Sequence, residues 1–433
     1  MRSYILLGVS ALVAIAAWAG LIFTGTMNGW TRTAIAEPGD VSGFLQAATE
    51  MVDTEHQGNL GLALLENGEI AGEYYVSIGA PIDRDTSFQV ASLSKWVSAA
   101  GVMALVEDGR IDLDAPVSTY LNSWQLPQGE FDTDGVTVRR LLSHTAGLTD
   151  GLGYGGFAPG EDIQPLTESL TQASDASPGA DGRVRVGLEP GAQFEYSGGG
   201  YTLLQLLVED VTGEAFETYM QRAVFQPLGM ENSTYLDEVS DNGNRAALYD
   251  IDGTEAIRYR FAGLAPTALN SSTADMVRFL QSNLVAGAGG SARPHILEPR
   301  TLARMRQPEA SQFGLEIWGL GTILYAPNGQ GDFIAGHDGS NDPAINAAVR
   351  YDPATGDGIV VLESGDRFLA TRIAGEWVFW QSHQLDVLSF TAIAENMILT
   401  ILTGALVIVL ITIIFAASLA WRRWRRRRRT PAA

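Results

Sequence analysis

QVASLSKWVSAAG, residues 89–101, contains Lys95, and the chain has no other lysine: its remaining 27 basic side chains are arginine. Apolar residues at Trp96, Ala99, Ala100, Met103 and Val106 recur at helical spacing, which predicts a helix over 92–108 ended by Gly109. Ser92 and Lys95, three apart, then share one face at the start of that helix. A serine hydroxyl is a weak nucleophile until a base takes its proton. Lysine serves as that base when burial or the positive end of a helix loosens its own proton. Arginine, with a pKa above ~12, stays charged and cannot. A chain that uses arginine wherever charge suffices keeps lysine where a shiftable proton is needed. The plain alternative is a solvated lysine surviving by chance, and S-x-x-K alone does not separate the two.

Two further stretches carry polar chemistry. In LEPGAQFEYSGGGYTLLQLLVED, residues 188–210, Tyr196 follows an apolar, strand-like approach and precedes a helix. A phenol beside Lys95 can have a lowered pKa and act as the base; the ordinary reading is a core aromatic. In GDFIAGHDGSN, residues 331–341, His337 stands at the end of a predicted strand. Gly339 then lets a substrate backbone lie against the strand edge. The ordinary reading of His337 is a satisfied surface imidazole.

Strand-like segments lie at both ends of the region 40–384, and helix-like segments lie between them. A helix is expected at 41–53, then two apolar runs around Asn67-Gly68, a strong hairpin signal. Helices are expected at 201–210, 214–225, 272–284 and from Pro299. Short strands with turns follow Phe313, and a last helix covers 368–383. The Gly-rich, acidic stretch 150–187 reads as long surface loops, which in a compact domain tend to form functional rims. The pattern suggests one sheet made from both chain ends, flanked by terminal helices, with a helical lobe inserted.

Two apolar segments bracket this region. Residues 397–420 run 24 residues without a charge, about 36 Å of helix and enough to cross a ~30 Å hydrocarbon core. The tail 421–433 holds Trp421, Trp424 and seven arginines, which suits an interface followed by cytoplasm. Residues 4–23 form a second apolar run behind Arg2. It reads as an uncleaved anchor or as a signal peptide with Ala34-x-Ala36 as cleavage site. Either way the middle of the chain is expected on the exported face of a bacterial inner membrane, with the C-terminus in the cytoplasm and the bilayer as a partner.

The segment from Glu37 to Glu395 carries 19 basic against 50 acidic residues, a net charge of −31. Such a surface repels nucleic acid and favours a well-hydrated domain. The absence of cysteine excludes disulfides, thiolate catalysis and Cys-based zinc sites. The five histidines show no ligand spacing, so neither a metal nor a cofactor is called for.

S-x-x-K at Ser92–Lys95, a Y-x-N-like Tyr196–Gly198 and H-x-G at His337–Gly339, in that order, resemble the signature of the serine β-lactamase and penicillin-binding protein superfamily. The likeness is to the branch with class C β-lactamases, family VIII esterases, D-Ala-D-Ala carboxypeptidases and D-aminopeptidases. DLDAPVSTYL (112–121), VTVRRLLSHTAGL (136–148), EPGAQFEYSGGGYTLL (189–204) and FQPLGMENSTY (225–235) extend it. The resemblance implies a β-lactamase-like, two-lobed α+β domain. It implies Ser92 as the acylated nucleophile, Lys95 and Tyr196 sharing base and acid work, and His337 with Gly339 as the third motif on an edge strand. The backbone N–H groups of Ser92 and Ser340 would form the oxyanion hole. His144, in LLSHTAGL, looks structural in that family and is set aside as a catalytic residue. Gly198 replaces the asparagine that normally helps hold the lysine and the substrate amide, and neutral His337 weakens recognition of a carboxylate. The expected activity is therefore hydrolysis of an ester or a small D-amino-acid peptide, cell-wall compounds among them, rather than of β-lactams. The rival expectations are a binding or sensor module that has lost turnover, and a membrane scaffold.

Overall fold

The computed structural model describes residues 2–30, 32–151, 153–237, 243–284 and 294–428. Leu152, within the expected rim, and the last five residues of the basic tail lie outside the described residues. The chain forms two units: Ile35–Ser382, and the two terminal segments Met1–Ala34 with His383–Ala433.

The larger unit is built on an eight-stranded sheet. Its strands are β1 (Asn59–Glu66), β2 (Glu69–Val76), β3 (Ala310–Gln312), β4 (Leu315–Trp318), β5 (Ile323–Pro327), β6 (Phe333–Asn341), β7 (Ile345–Tyr351) and β8 (Gly358–Ser364). They lie in the order β2-β1-β8-β7-β6-β5-β4-β3, and each pair is antiparallel. The expected hairpin forms at Asn67 and Gly68, both with positive φ, as its two-residue turn requires. Its first strand joins the other chain end in the register Asn59↔Ser364 to Leu65↔Gly358. Both faces of β1 are buried, which explains its nearly continuous apolar run.

Helices α1 (Arg2–Met27), α2 (Val41–Glu55), α3 (Ser94–Glu107), α4 (Gly198–Thr212), α5 (Leu369–Ser382) and α6 (Val387–Arg428) position the remainder. On one face of the sheet, α5 packs on β7 and β8 while α2 packs on β1 and β2. Phe44 of α2 stacks on Trp380 of α5 at 4.9 Å. The helix α3 is buried nearly all round, as a helix without a polar face must be. Its Trp96 lies between Phe279 and Tyr351, at 4.7 and 5.6 Å between ring centroids. The stretch 150–187 is more than a surface rim: it contains the helix Leu166–Thr171, and Asp150, Tyr154 and Phe157 are buried.

In the smaller unit α1 and α6 pack along each other. The Trp18 indole N–H donates to Thr400 O at 3.3 Å, and the ring occupies the space a side chain at Gly404 would need. Leu385 N–H donates to Met27 O at 3.1 Å, and Gln384 donates to Asn28 at 3.0 Å. Segments Tyr4–Met27 and Asn396–Arg425, whose most apolar 18-residue windows have mean hydropathies of 2.4 and 2.9, are long and apolar enough to cross a membrane.

Beneath β6 the sheet carries one buried ion pair. Arg350, fully buried on β7, is paired with Asp338, and its guanidinium lies 3.5 Å from the Tyr325 ring centroid. Asp338 also accepts from Tyr325 Oη at 2.7 Å and Thr371 Oγ1 at 2.6 Å. Removing one partner strands a buried charge. Arg350→Leu is expected to lower stability by about 3–5 kcal/mol in denaturant unfolding of the detergent-solubilised protein. The Asp338→Leu/Arg350→Leu double variant should recover most of that loss. A single variant as stable as wild type would show that the pair does not anchor β6.

Candidate active site

Ser92 sits in a single 3₁₀ turn, Ala91–Leu93, that leads into α3. Ala91 has φ +46°, a left-handed conformation that costs a residue with a Cβ about 1–3 kcal/mol. The second serine of the S-L-S run braces this turn. Ser94 Oγ donates to Ala91 O at 2.6 Å and accepts from Leu269 N–H at 3.0 Å. Val90 N–H donates to Leu269 O at 3.0 Å.

The same turn lies against β6. A Cβ on Gly339 would overlap the Val90 carbonyl oxygen and stand 3.0 Å from Ser92 N. The glycine thus admits the chain's own nucleophile turn. His337 lies in the middle of β6 rather than at a strand end, because the strand continues to Asn341. Nor is β6 an edge strand: β5 covers it on the side away from β7. That cover stops at Gly336, however, so residues 337–341 pair only with β7 and form a local edge. Ser340 lies on this edge, next to the glycine that touches the Ser92 turn.

The expected meeting of Ser92 and Lys95 occurs. Lys95 Nζ donates to Ser92 Oγ at 3.1 Å and to Pro266 O at 2.8 Å, and the residue is 1 % exposed. The Tyr196 and Tyr201 ring centroids stand 4.9 and 5.7 Å from Nζ. Tyr196 therefore joins the pair. The strand-like approach to it is absent: residues 188–197 form no strand, and Pro190-Gly191 turns the chain, with Gly191 at φ +89°.

Beyond the three motifs, His144, Asp150 and Trp318 complete the surroundings. The His144 ring lies 4.3 Å from that of Tyr196 and 4.8 Å from that of Trp318, which in turn lies 5.3 Å from His337. His144 Nδ1 accepts from Ser197 N–H at 3.1 Å. The Asp150 carboxylate accepts from Ser197 Oγ and from Gly199 N–H, the latter at 2.8 Å, at the start of α4. A helix N-terminus favours such a charge, while burial pushes the Asp150 carboxyl up from its ordinary value. Only LLSHTAGL pointed toward His144; Asp150 and Trp318 belong to no motif.

Gly198 opens α4 without a positive φ, so its backbone does not demand glycine. Space is tight, however: a Cβ there would stand 3.2 Å from Gly153 Cα and 3.3 Å from Tyr154 Cε2, so a side chain at 198 would press on the 153–154 segment.

Both imidazoles are buried and neutral. Burial, then the Lys95 charge, depresses His337 to about 3 and His144 well below its ordinary value. His337 Nδ1 donates to Asp338 O at 2.6 Å, which leaves Nε2 as an acceptor; that atom has no hydrogen-bond partner among the described residues. No group of three or more metal-ligating side chains occurs among the described residues. The arrangement can activate one hydroxyl and offers a lone pair, rather than a cation, at the third motif.

The family model described as Beta-lactamase matches residues 44–377. Penicillin-binding protein 4* of Bacillus subtilis (strain 168) is 28 % identical over 261 residues, covering 55 % of this chain and 55 % of its own length. The chain thus spans about half of that relative. Esterase EstB of Burkholderia gladioli is 29 % identical over 281 residues, 57 % of this chain and 68 % of its own. The solved D-amino acid amidase from Ochrobactrum anthropi SV3, 23 % identical, superimposes with a TM-score of 0.61 over 80 % of this chain and 98 % of that one, a likeness of fold. With a match running from α2 into α5, the chain belongs to the beta-lactamase family of serine hydrolases.

Proposed function

We propose that the protein is a membrane-anchored hydrolase that forms an acyl-enzyme on Ser92. Its substrates on this reading are esters or small D-amino-acid peptides on the exported face. The carrying observation is the buried Lys95 with Nζ 3.1 Å from Ser92 Oγ. In the proposed reaction Lys95 Nζ first releases a proton to solvent; Ser92 Oγ then attacks the substrate carbonyl and its proton passes to the freed Nζ lone pair, while an N–H of Nζ stays on Pro266 O. The oxyanion accepts from the Ser92 and Ser340 N–H groups; losing one such donor typically costs ~2.7–4 kcal/mol of barrier. Lys95 and Tyr196 return the proton to the leaving oxygen or nitrogen, and water then releases the acyl group.

Two features favour carboxylate-free substrates over β-lactams. Gly198 supplies no side-chain amide, and neutral His337 supplies no cation for a carboxylate. Gly198 equally suits the rival reading, a binding module without turnover, and the ester turnover measured below separates the two. For the anchor, α1 and α6 run antiparallel, since Trp18 meets Thr400 and Tyr4 meets Arg423. That pairing supports a topology with both chain ends on one side, and the arginine-rich end favours the cytoplasm for that side.

A serine-reactive fluorophosphonate should label the full-length protein on Ser92, and Ser92→Ala should abolish labelling. Lys95→Arg and Lys95→Met should each lower ester turnover by about 10²–10⁴-fold, the range of acid–base catalysis. Near wild-type turnover in either variant would sink the role given to the lone lysine.

N-terminal sequencing of the membrane-extracted protein should begin at Met1 or Arg2. A start at Glu37 would mean that the first helix is removed.

His337 also sets a pH dependence of stability. The unfolded imidazole takes a proton near 6.5, the folded one only near 3, so on acidification the unfolded state binds more protons. The stability that neutral His337 contributes is full above 6.5 and is lost as the pH falls toward 3. Between pH 6 and 4 that loss should approach about 1.4 kcal/mol per pH unit, and His337→Asn should remove it. The comparison is wild type minus variant in denaturant unfolding at each pH. An identical pH slope for the two proteins would refute it.

A further inference from the structure

We infer that His144 is the positioning residue for Tyr196: it holds the backbone on both sides of that residue and the face of its ring. The inference rests on the reading of Ser92, Lys95 and Tyr196 as the reacting set.

Tyr196 lies in no helix or strand, so no ladder of backbone hydrogen bonds sets its place. What sets it is one residue, 52 positions earlier. Glu195 N–H donates to His144 O at 2.8 Å, and Ser197 N–H donates to His144 Nδ1 at 3.1 Å. The two peptide N–H groups flanking Tyr196 thus end on the same residue. The His144 ring also lies against the Tyr196 ring, with centroids 4.3 Å apart and planes 30° apart.

His144 is itself boxed in. Trp318 meets its ring edge-on at 4.8 Å, and the Trp318 and Tyr201 side chains both donate to Leu142 O, at 3.2 and 3.1 Å. The residue follows the short helix Val138–Leu142 and its cap Ser143, and has φ +56°. Glycine or asparagine is the usual occupant of such a left-handed position after a helix. A histidine placed there against that preference, and buried, is explained if the imidazole has work that glycine cannot do. A neutral ring is required, because Nδ1 must accept; burial and Lys95 keep it so.

Proton transfer tolerates little displacement, and a misplacement of about 1 Å can cost ~10²-fold in rate. The test compares full-length wild type, His144→Gly, His144→Asn, Tyr196→Phe and the His144→Gly/Tyr196→Phe double variant. Glycine and asparagine both accept the left-handed backbone, but only asparagine keeps an acceptor near the Nδ1 position. His144→Gly should lower kcat for an ester by about 10²-fold, with KM within roughly twofold. His144→Asn should recover at least about tenfold of that loss. On the Tyr196→Phe background, His144→Gly should change kcat less than about twofold, because nothing remains to position.

An additive double variant, an asparagine variant no better than the glycine one, or a glycine variant near wild-type kcat would each overturn the assignment. Should the wild type neither label on Ser92 nor turn over, the acyl-enzyme reading fails. Amide exchange over residues 188–200 then decides the clamp by itself. Lost protection in His144→Gly supports it, and wild-type protection overturns it.

Discussion

The contact between Gly339 and the Ser92 turn is the constraint on which the site depends. Two backbones meet there with no side chain between them. The nucleophile turn is thereby fixed against a strand that the sheet holds on one side and leaves unpaired on the other beyond Gly336. The left-handed Ala91 is sustained because Ser94, Leu269 and Gly339 determine the turn from three directions. The Asp338–Arg350 pair does the same for the strand from its far face. It fixes the residue between His337 and Gly339, so that both neighbours point to the site side.

Electrostatics follow from placing a cation in this enclosure. Lys95 finds one carbonyl, one hydroxyl and two aromatic faces, all of which tolerate or favour a positive charge. Its charge reaches three neighbours. It adds to burial in depressing His144 and His337, and it opposes burial at Asp150, where burial wins. The result is a centre with one cation and two uncharged imidazoles. A lysine at position 337 would have put a second cation beside the first. Neutral His337 avoids that repulsion and leaves its Nε2 lone pair buried and without a hydrogen-bond partner among the described residues.

What was legible in the sequence is what local spacing dictates. Asn67-Gly68 between apolar runs specifies a hairpin through backbone conformations few other residues adopt. Ser92 and Lys95 meet because helical geometry brings i and i+3 together. Strands at both ends of the 40–384 region, around a helical middle, implied one sheet made from the two; the β1–β8 join that closes it came from the structure. What was not legible depends on partners distant in sequence. The space at Gly198 is filled by Gly153 and Tyr154, 45 and 44 residues earlier, and no periodicity encodes that. His144 touches Tyr196 across 52 residues, with its backbone in a conformation a histidine rarely adopts. Gly339 was recognised as a point of close approach, but a glycine alone does not say which backbone approaches.

The 150–187 stretch shows why the missing asparagine leaves no void. An asparagine at 198 would project from the first turn of α4 toward the space that Gly153 and Tyr154 now occupy. The stretch brings with it the Asp150 carboxylate, bound to Ser197 Oγ and Gly199 N–H on either side of that same position. The head of α4 thus takes a carboxylate contact from this neighbouring segment, on either side of position 198. On the proposed reading, selectivity at this end of the site then belongs to the rim. Relatives differing in that stretch would differ in substrate while sharing Ser92, Lys95 and Tyr196. Nothing in the three motifs would report the change, because the residue that carries it lies outside them.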